Sequence, residues 1–262
     1  MRSLIICADD FAQSPAIDAG ITHLIQENRI SATSCMTLSP RWKQSAQLLT
    51  AEIKSKADIG LHLDFTHFGD AYNHPALILR SISHCLPVKI IRISIHQQLD
   101  SFEEAIGSAP DYVDGHQHVH QLPQIREVLL EVLHQRYSHH LPWIRVAKPP
   151  ATGGFKGNVI RLLGANTLEQ KARNMGFHTS GDLLGVYDFT GNLGNYEDRL
   201  RHWISAIGHS SNTPVLMCHP AIAQPDCATD DPIYLARLNE FLALSNKSFD
   251  SLLQTIKLVR KP

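Results

Sequence analysis

The chain has no CxxC pair, no cluster of basic residues and no apolar run near the ~20 residues that a membrane-spanning helix needs. Each absence excludes something. The five cysteines, Cys7, Cys35, Cys85, Cys218 and Cys227, are odd in number and scattered, so they outline neither a disulfide framework nor a thiolate metal site. A reduced, cytoplasmic protein is expected, with Cys7 and Cys218 acting as small buried hydrophobes inside apolar runs. A formal net charge of -1 gives no electrostatic attraction to nucleic acid or to an acidic membrane surface. The opening residues MRSLIICADD hold too short an apolar run, closed by two acids, to be a signal peptide. No repeat, low-complexity tract or linker divides the 262 residues, so one domain over residues 1–262 is expected.

Short β-rich apolar runs alternate with amphipathic helical patterns, which predicts an α/β fold around a mostly parallel sheet. The predicted strands are Leu4 to Ala8, Ala32 to Leu38, Asp58 to Leu63, Asp111 to His116, Trp143 to Ala147, Pro214 to Cys218 and a last one near Ile256. Ser14-Pro15 reads as a helix cap with proline at the first helical position. Further helices are expected over about Trp42 to Ile53, from Pro123 onward, over Val159 to Met175 and over Tyr196 to Ile207. Gly69 to Leu99 has no clear pattern, and Lys148 to Gly157 reads as a Pro/Gly-rich loop.

What the chain has in excess is histidine, 16 in all. In DYVDGHQHVHQLP, three of them alternate behind an acid, so an extended segment would place Asp114, His116, His118 and His120 on one face. Other predicted strands also end in acids or imidazoles: Asp9-Asp10, then His62 and Asp64, then His219. In parallel α/β barrels the C-terminal strand ends build the active site, and core packing alone does not deliver Asp and His from four separate strands. A metal or acid/base site is therefore expected. Two imidazoles and a carboxylate, with positions left for water, make the open kind of site that zinc favours, although other divalent ions accept the same donors. Adjacent Asp9 and Asp10 cannot point the same way from an extended strand, which allows one to serve the metal and the other to act as a base.

The segments ADDFAQSPAID, DIGLHLDFT, DGHQHVHQLP and LMCHPA, in that order, resemble the signature of the YdjC-like family of carbohydrate deacetylases. Chitooligosaccharide deacetylases and hopanoid-biosynthesis deacetylases belong to that family. The likeness extends nearly end to end, with YLARLNEFLAL also family-like. It implies an irregular TIM-like (β/α) barrel related to the polysaccharide deacetylases, a homodimer, and removal of N-acetyl groups from amino sugars with a divalent metal, magnesium or zinc. By position it implies Asp10, His62 and His116 as metal ligands, Asp9 as general base and His219 as general acid. His118, His120, Arg145, Asp64 and Asp114 would contact substrate or orient the ligands, the two acids through the second ring nitrogens of the ligand histidines. Cys7, Ala12 and Val215 depart from the family pattern at flanking positions. Two rival functions share the same residues: a metal-dependent hydrolase of another amide or ester, and a catalytically silent sugar-binding protein.

Overall fold

The computed structural model describes residues 1–69, 72–150, 154–207, 212–223 and 231–262. Among them the strands are β1 (Arg2–Phe11), β2 (Ala32–Cys35), β3 (Asp58–Leu63), β4 (Tyr112–Gly115), β5 (Trp143–Ile144), β6 (Leu183–Leu184), β7 (Val215–Cys218) and β8 (Ile256–Leu258). All pairings are parallel, in the spatial order β5-β4-β3-β2-β1-β7-β6, with β8 beside the first residues of β1. Parallel neighbours need long crossovers. Those are supplied by α1 (Pro15–Gln26), α2 (Trp42–Ser45), α3 (Ala51–Lys56), α4 (His74–Ile82), α5 (Val88–Ile106), α6 (Ile125–Arg136), α7 (Gly154–Leu162), α8 (Ala165–Asn174) and α9 (Leu193–Ser205). After β7 come α10 (Tyr234–Ser245) and α11 (Lys247–Leu253).

The sheet closes on itself. The Ile144 amide donates to the His178 carbonyl (2.9 Å), and the Ser180 amide donates to the Ile144 carbonyl (3.0 Å). Further along, Val215 N–H donates to the Asp182 carbonyl at 2.9 Å. Residues 178–184 thus join β5 to β7, giving an irregular (β/α) barrel in which two staves are only two residues long.

Period-two alternation explains both layers of the core. On β1, Leu4, Ile6 and Ala8 pack under the helices, whereas Ile5 and Cys7 face inward with Ala32, Tyr112, Trp143, Leu183, Val215 and Met217. Register places Gly60 beside Tyr112 and Tyr112 beside Trp143, and the two rings stack at 4.3 Å. A Cβ at Gly60 would lie 2.5 Å from the Tyr112 ring, so only glycine leaves room there. One step nearer the C-terminal rim, the same inward alternation delivers Asp9, Ser34, His62, Asp114 and Arg145. The fold turns from apolar to polar along its own axis.

Several expectations need correction. β4 ends at Gly115, and residues 116–121 form a tight turn with Gln117 (φ 52) and His118 (φ 61) left-handed. The segment is therefore not extended, and Asp114, His116, His118 and His120 do not share a strand face. The helix expected over Val159 to Met175 is two helices, broken at Gly164 (φ 126), where a Cβ would lie 2.4 Å from the Gln121 carbonyl oxygen. Trp42 to Ile53 is likewise interrupted, with a 3₁₀ turn over Ala46–Leu48. Gly69 to Leu99 contains α4 and most of α5, whose Ile91, Ile95, Leu99 and Phe102 are buried. The Lys148 to Gly157 loop falls partly outside the described residues, and α7 already begins at Gly154. Ser14 caps α1 as expected, its hydroxyl accepting the Ile17 N–H at 3.3 Å. Cys7, Cys35 and Cys218 are buried free thiols, Cys85 is exposed, and Cys227 lies outside the described residues.

Candidate metal centre

At the end of β1 the register against β2 shifts between Ala8 and Phe11, and Asp10 takes a left-handed backbone (φ 69). A bulge of this kind re-aims a side chain. Both acids of the pair consequently reach one cavity, although a regular strand would have sent them apart. The following turn is anchored by Asp18, which accepts the N–H of left-handed Ala12 (φ 78) at 2.6 Å.

Asp10, His62 and His116 converge as expected, with ligand atoms all within 4.8 Å of one another. Asp10 Oδ1 lies 3.4 Å from His62 Nε2 and 3.2 Å from His116 Nδ1. Bonds of ~2.1 Å to one ion at a tetrahedral angle would separate donor atoms by about 3.4 Å, so the set fits a divalent cation. His62 is aimed by its other nitrogen: Nδ1 lies 2.6 Å from Asp114 Oδ1 and 3.1 Å from Ser34 Oγ. That carboxylate–imidazole pairing is the usual support of a metal-ligating histidine. Burial opposes charge on His62, but Asp114, Asp10 and Asp9 outweigh it and push its pKa up to about 10. The same carboxylates favour any positive charge at this point. For Asp10, burial pushes the carboxyl up, yet Arg237 and the hydrogen bonds from His116 and His62 hold it well below the usual range.

Asp9 is clasped by Arg145, Nη1 to Oδ1 at 2.5 Å and Nη2 to Oδ2 at 2.7 Å. Arg145 Nη2 also lies 3.0 Å from Asp114 Oδ2. The pairing outweighs burial and keeps Asp9 ionised. Cys7, Asp9 and Asp114 also cluster, but the Arg145 guanidinium already supplies the positive charge there. His219 follows β7, with Nε2 3.9 Å from Asp9 Oδ2. Burial lowers its pKa to about 4 against the pull of Asp10 and Asp9, so the imidazole is neutral at rest rather than titrating near neutrality.

The remaining sequence candidates divide. His118 lines the cavity, and its Nδ1 has no hydrogen-bond partner among the described residues. His120 does not line it; buried, it donates Nε2–H to the Arg145 carbonyl at 2.7 Å and so holds the backbone of the arginine. Asp64 orients no ligand histidine, contrary to expectation. Its carboxylate accepts the N–H groups of Thr66, His67, Phe68 and Gly69 at 2.7–3.1 Å, building the loop that sets the His67 ring 5.7 Å from that of His116.

Two residues on α10 escaped the sequence argument. Arg237 Nη2 binds Asp10 Oδ2 at 2.8 Å, while its Nε binds Asp231 at 2.6 Å. Glu240, fully buried, accepts the His219 N–H at 2.5 Å and the Tyr187 hydroxyl at 2.6 Å. The available signal was their position: both sit among Ala236, Ala243 and Leu244 on the buried side of the helix, where charge is unusual.

Asp9, Asp10, His62, His116, His118, His219 and Arg237 open onto a cavity of about 600 Å³. Its lining is partly polar and partly apolar, the apolar part including Val159, Ile160, Leu163, Val186, Met217 and Ile233. No helix among the described residues is long and apolar enough to cross a membrane.

Known proteins resemble this chain in sequence and in fold. It is 28% identical over 146 residues to a carbohydrate deacetylase of Danio rerio, covering 50% of this chain and 46% of the relative. It is 25% identical over 255 residues to a carbohydrate deacetylase of Clostridium beijerinckii, covering 93% and 91%. The matches span about half the length of the vertebrate relatives. Among solved structures, one from Enterococcus faecalis, proposed to be a cellobiose-phosphate cleavage protein, superposes with a TM-score of 0.73 at 17% identity over 99% of this chain and 97% of that one. A family 4 acetyl xylan esterase from Clostridium thermocellum, solved with cobalt, gives 0.51 at 10% identity over 99% and 88%. These likenesses establish the barrel fold. A family model described as YdjC-like protein matches residues 3–255, and the chain belongs to that family.

Proposed function

We propose that the protein is a metal-dependent hydrolase that removes N-acetyl groups from amino sugars and releases acetate. The observation that carries this is the meeting of Asp10, His62 and His116 at one point, with Asp9 and His219 beside it. Relatives named for carbohydrate deacetylation support the substrate class. The ion proposed is zinc or magnesium, and the imidazole pair leans toward zinc. When bound, such an ion supplies Lewis acidity, polarising an amide carbonyl and making a water more acidic.

The chain's own groups do the rest. Arg237 occupies one oxygen of Asp10 and leaves the other for the ion, while Asp114 turns His62 Nε2 toward it. Asp9, fixed by Arg145 and ionised, accepts the proton of the attacking water at a carboxylate oxygen. His219 is neutral at rest, so the proton it gives the departing nitrogen reaches it during turnover, and Asp9 is 3.9 Å away. His118, which lines the cavity, contacts the sugar. Arg145, Asp114, His120 and Asp64 hold the frame. The enzyme is proposed to be a homodimer, as the family resemblance implies, and, from its scattered cysteines and unbroken patterning, cytoplasmic with a single domain over residues 1–262.

The test is acetate release from N-acetylglucosamine oligomers by the purified protein with zinc or magnesium added. Release supports the proposal. Bound sugar without release points to a silent sugar-binding protein, and turnover of a simple ester alone points to a different hydrolase.

A further inference from the structure

His219 is held by its backbone as well as its ring. Arg237 and Glu240 lie one turn apart on α10, and both reach this residue. One Glu240 oxygen accepts the His219 N–H at 2.5 Å; Arg237 Nη1 donates to the His219 carbonyl at 3.4 Å. Both polar backbone groups of the proposed acid are therefore gripped from one helix. A second route runs through the other Glu240 oxygen, which accepts the Tyr187 hydroxyl at 2.6 Å. The Tyr187 ring lies 4.9 Å from that of Phe189, and Phe189 stands edge-on to the His219 imidazole at 5.3 Å. A carboxylate buried this completely is unfavourable unless its bonds matter. Glu240 touches none of the proposed metal ligands and takes no part in the steps given above.

Resting on the deacetylase proposal, we infer that Glu240 is a positioning residue that sets where the His219 imidazole stands relative to Asp9 and the departing nitrogen. The inference has a chemical signature that a role in stability alone would not produce. An amide cannot expel its amine without a proton, whereas an activated aryl ester expels a phenolate that needs none. Misplacing the acid therefore penalises amide cleavage selectively.

The experiment compares the wild-type chain with Glu240→Gln, which keeps the shape but leaves one acceptor oxygen, and with Tyr187→Phe, which removes the second contact. Each is assayed with added zinc on an N-acetylglucosamine oligomer and on 4-nitrophenyl acetate, alongside bound-zinc content and thermal melting. The ratio of amide to ester turnover is expected to fall at least ~10-fold in Glu240→Gln and about 3-fold in Tyr187→Phe, through kcat, with KM and bound zinc held within about twofold. An unchanged ratio overturns the inference and leaves the deacetylase proposal standing; so does a fall that tracks lost zinc. If Glu240→Gln does not fold, the Tyr187→Phe ratio decides by the same criterion. A wild-type protein that releases no acetate from any N-acetylated sugar overturns the deacetylase proposal, and this inference with it.

Discussion

Arg145 clasps Asp9 with two parallel hydrogen bonds of 2.5 and 2.7 Å inside the barrel, where the arginine is wholly shielded from solvent. Its guanidinium also faces Asp114, so one cation balances two carboxylates. Removing one member of a buried ionic group strands the others without compensation. Arg145→Met should therefore destabilise the fold by roughly 3–5 kcal/mol, read as a shift in the urea unfolding midpoint. Arg145→Lys should recover only part of that, because an ammonium lacks the planar fork that grips both oxygens. A loss under ~1 kcal/mol for the methionine variant would contradict the picture of a shared buried charge.

Asp9 faces the attacking water in the proposed reaction but is no ligand. Asp9→Asn should keep its bound metal and lose about 100-fold or more in turnover. Metal analysis and steady-state kinetics on the same preparation separate the two effects, and near-normal turnover would remove Asp9 from its role.

Asp114 supports the proposed ion site through His62 Nδ1, at 2.6 Å. Losing such a support commonly costs about 10–100-fold in metal affinity. Asp114→Asn should weaken zinc binding by that factor in a competition titration with a chelating indicator. Unaltered affinity would show that His62 needs no aiming.

Glu240 predicts a pH effect on stability. Burial, only partly offset by the His219 N–H, the Tyr187 hydroxyl and Arg237, pushes its pKa up to about 7. A carboxyl raised in the fold is stabilising while protonated. That contribution is complete below the ordinary value near 4.5 and is lost as pH climbs through 7. At ~1.4 kcal/mol per unit the swing is roughly 3 kcal/mol. Glu240→Gln, which cannot ionise, should gain on the wild type by about that much between pH 4.5 and 8 in urea unfolding. A constant difference across that range would show that the carboxyl titrates normally.

Where local chemistry and periodicity agreed, the sequence was legible. Ser14-Pro15 marked the start of α1, and the buried stripe Ile125, Val128, Leu129, Val132 and Leu133 marked α6. LIICA marked the central strand, although β1 runs further at both ends. β6 escaped notice because a two-residue stave leaves no periodicity to read. α5 was obscured by its β-branched start, VKIIRISI, which matches strand preferences until packing decides. At the site, the ligand positions were legible as acids and imidazoles at strand ends. Their orientation was not. The left-handed turns at Asp10, Gln117 and His118 carry no glycine to announce them, and they decide which side chains enter the cavity. Arg237 and Glu240 were hidden because nothing in the sequence shows that α10 returns to the site, where Arg237 meets Asp10, 227 positions away, and Glu240 meets the His219 backbone.

The proposed site rests on a single cation held by three side chains, which anomalous diffraction at the zinc edge from a zinc-soaked crystal would reveal. One strong peak is expected within about 2.3 Å of an Asp10 oxygen, His62 Nε2 and His116 Nδ1. A crystal showing no peak there, or one placed elsewhere, would contradict it.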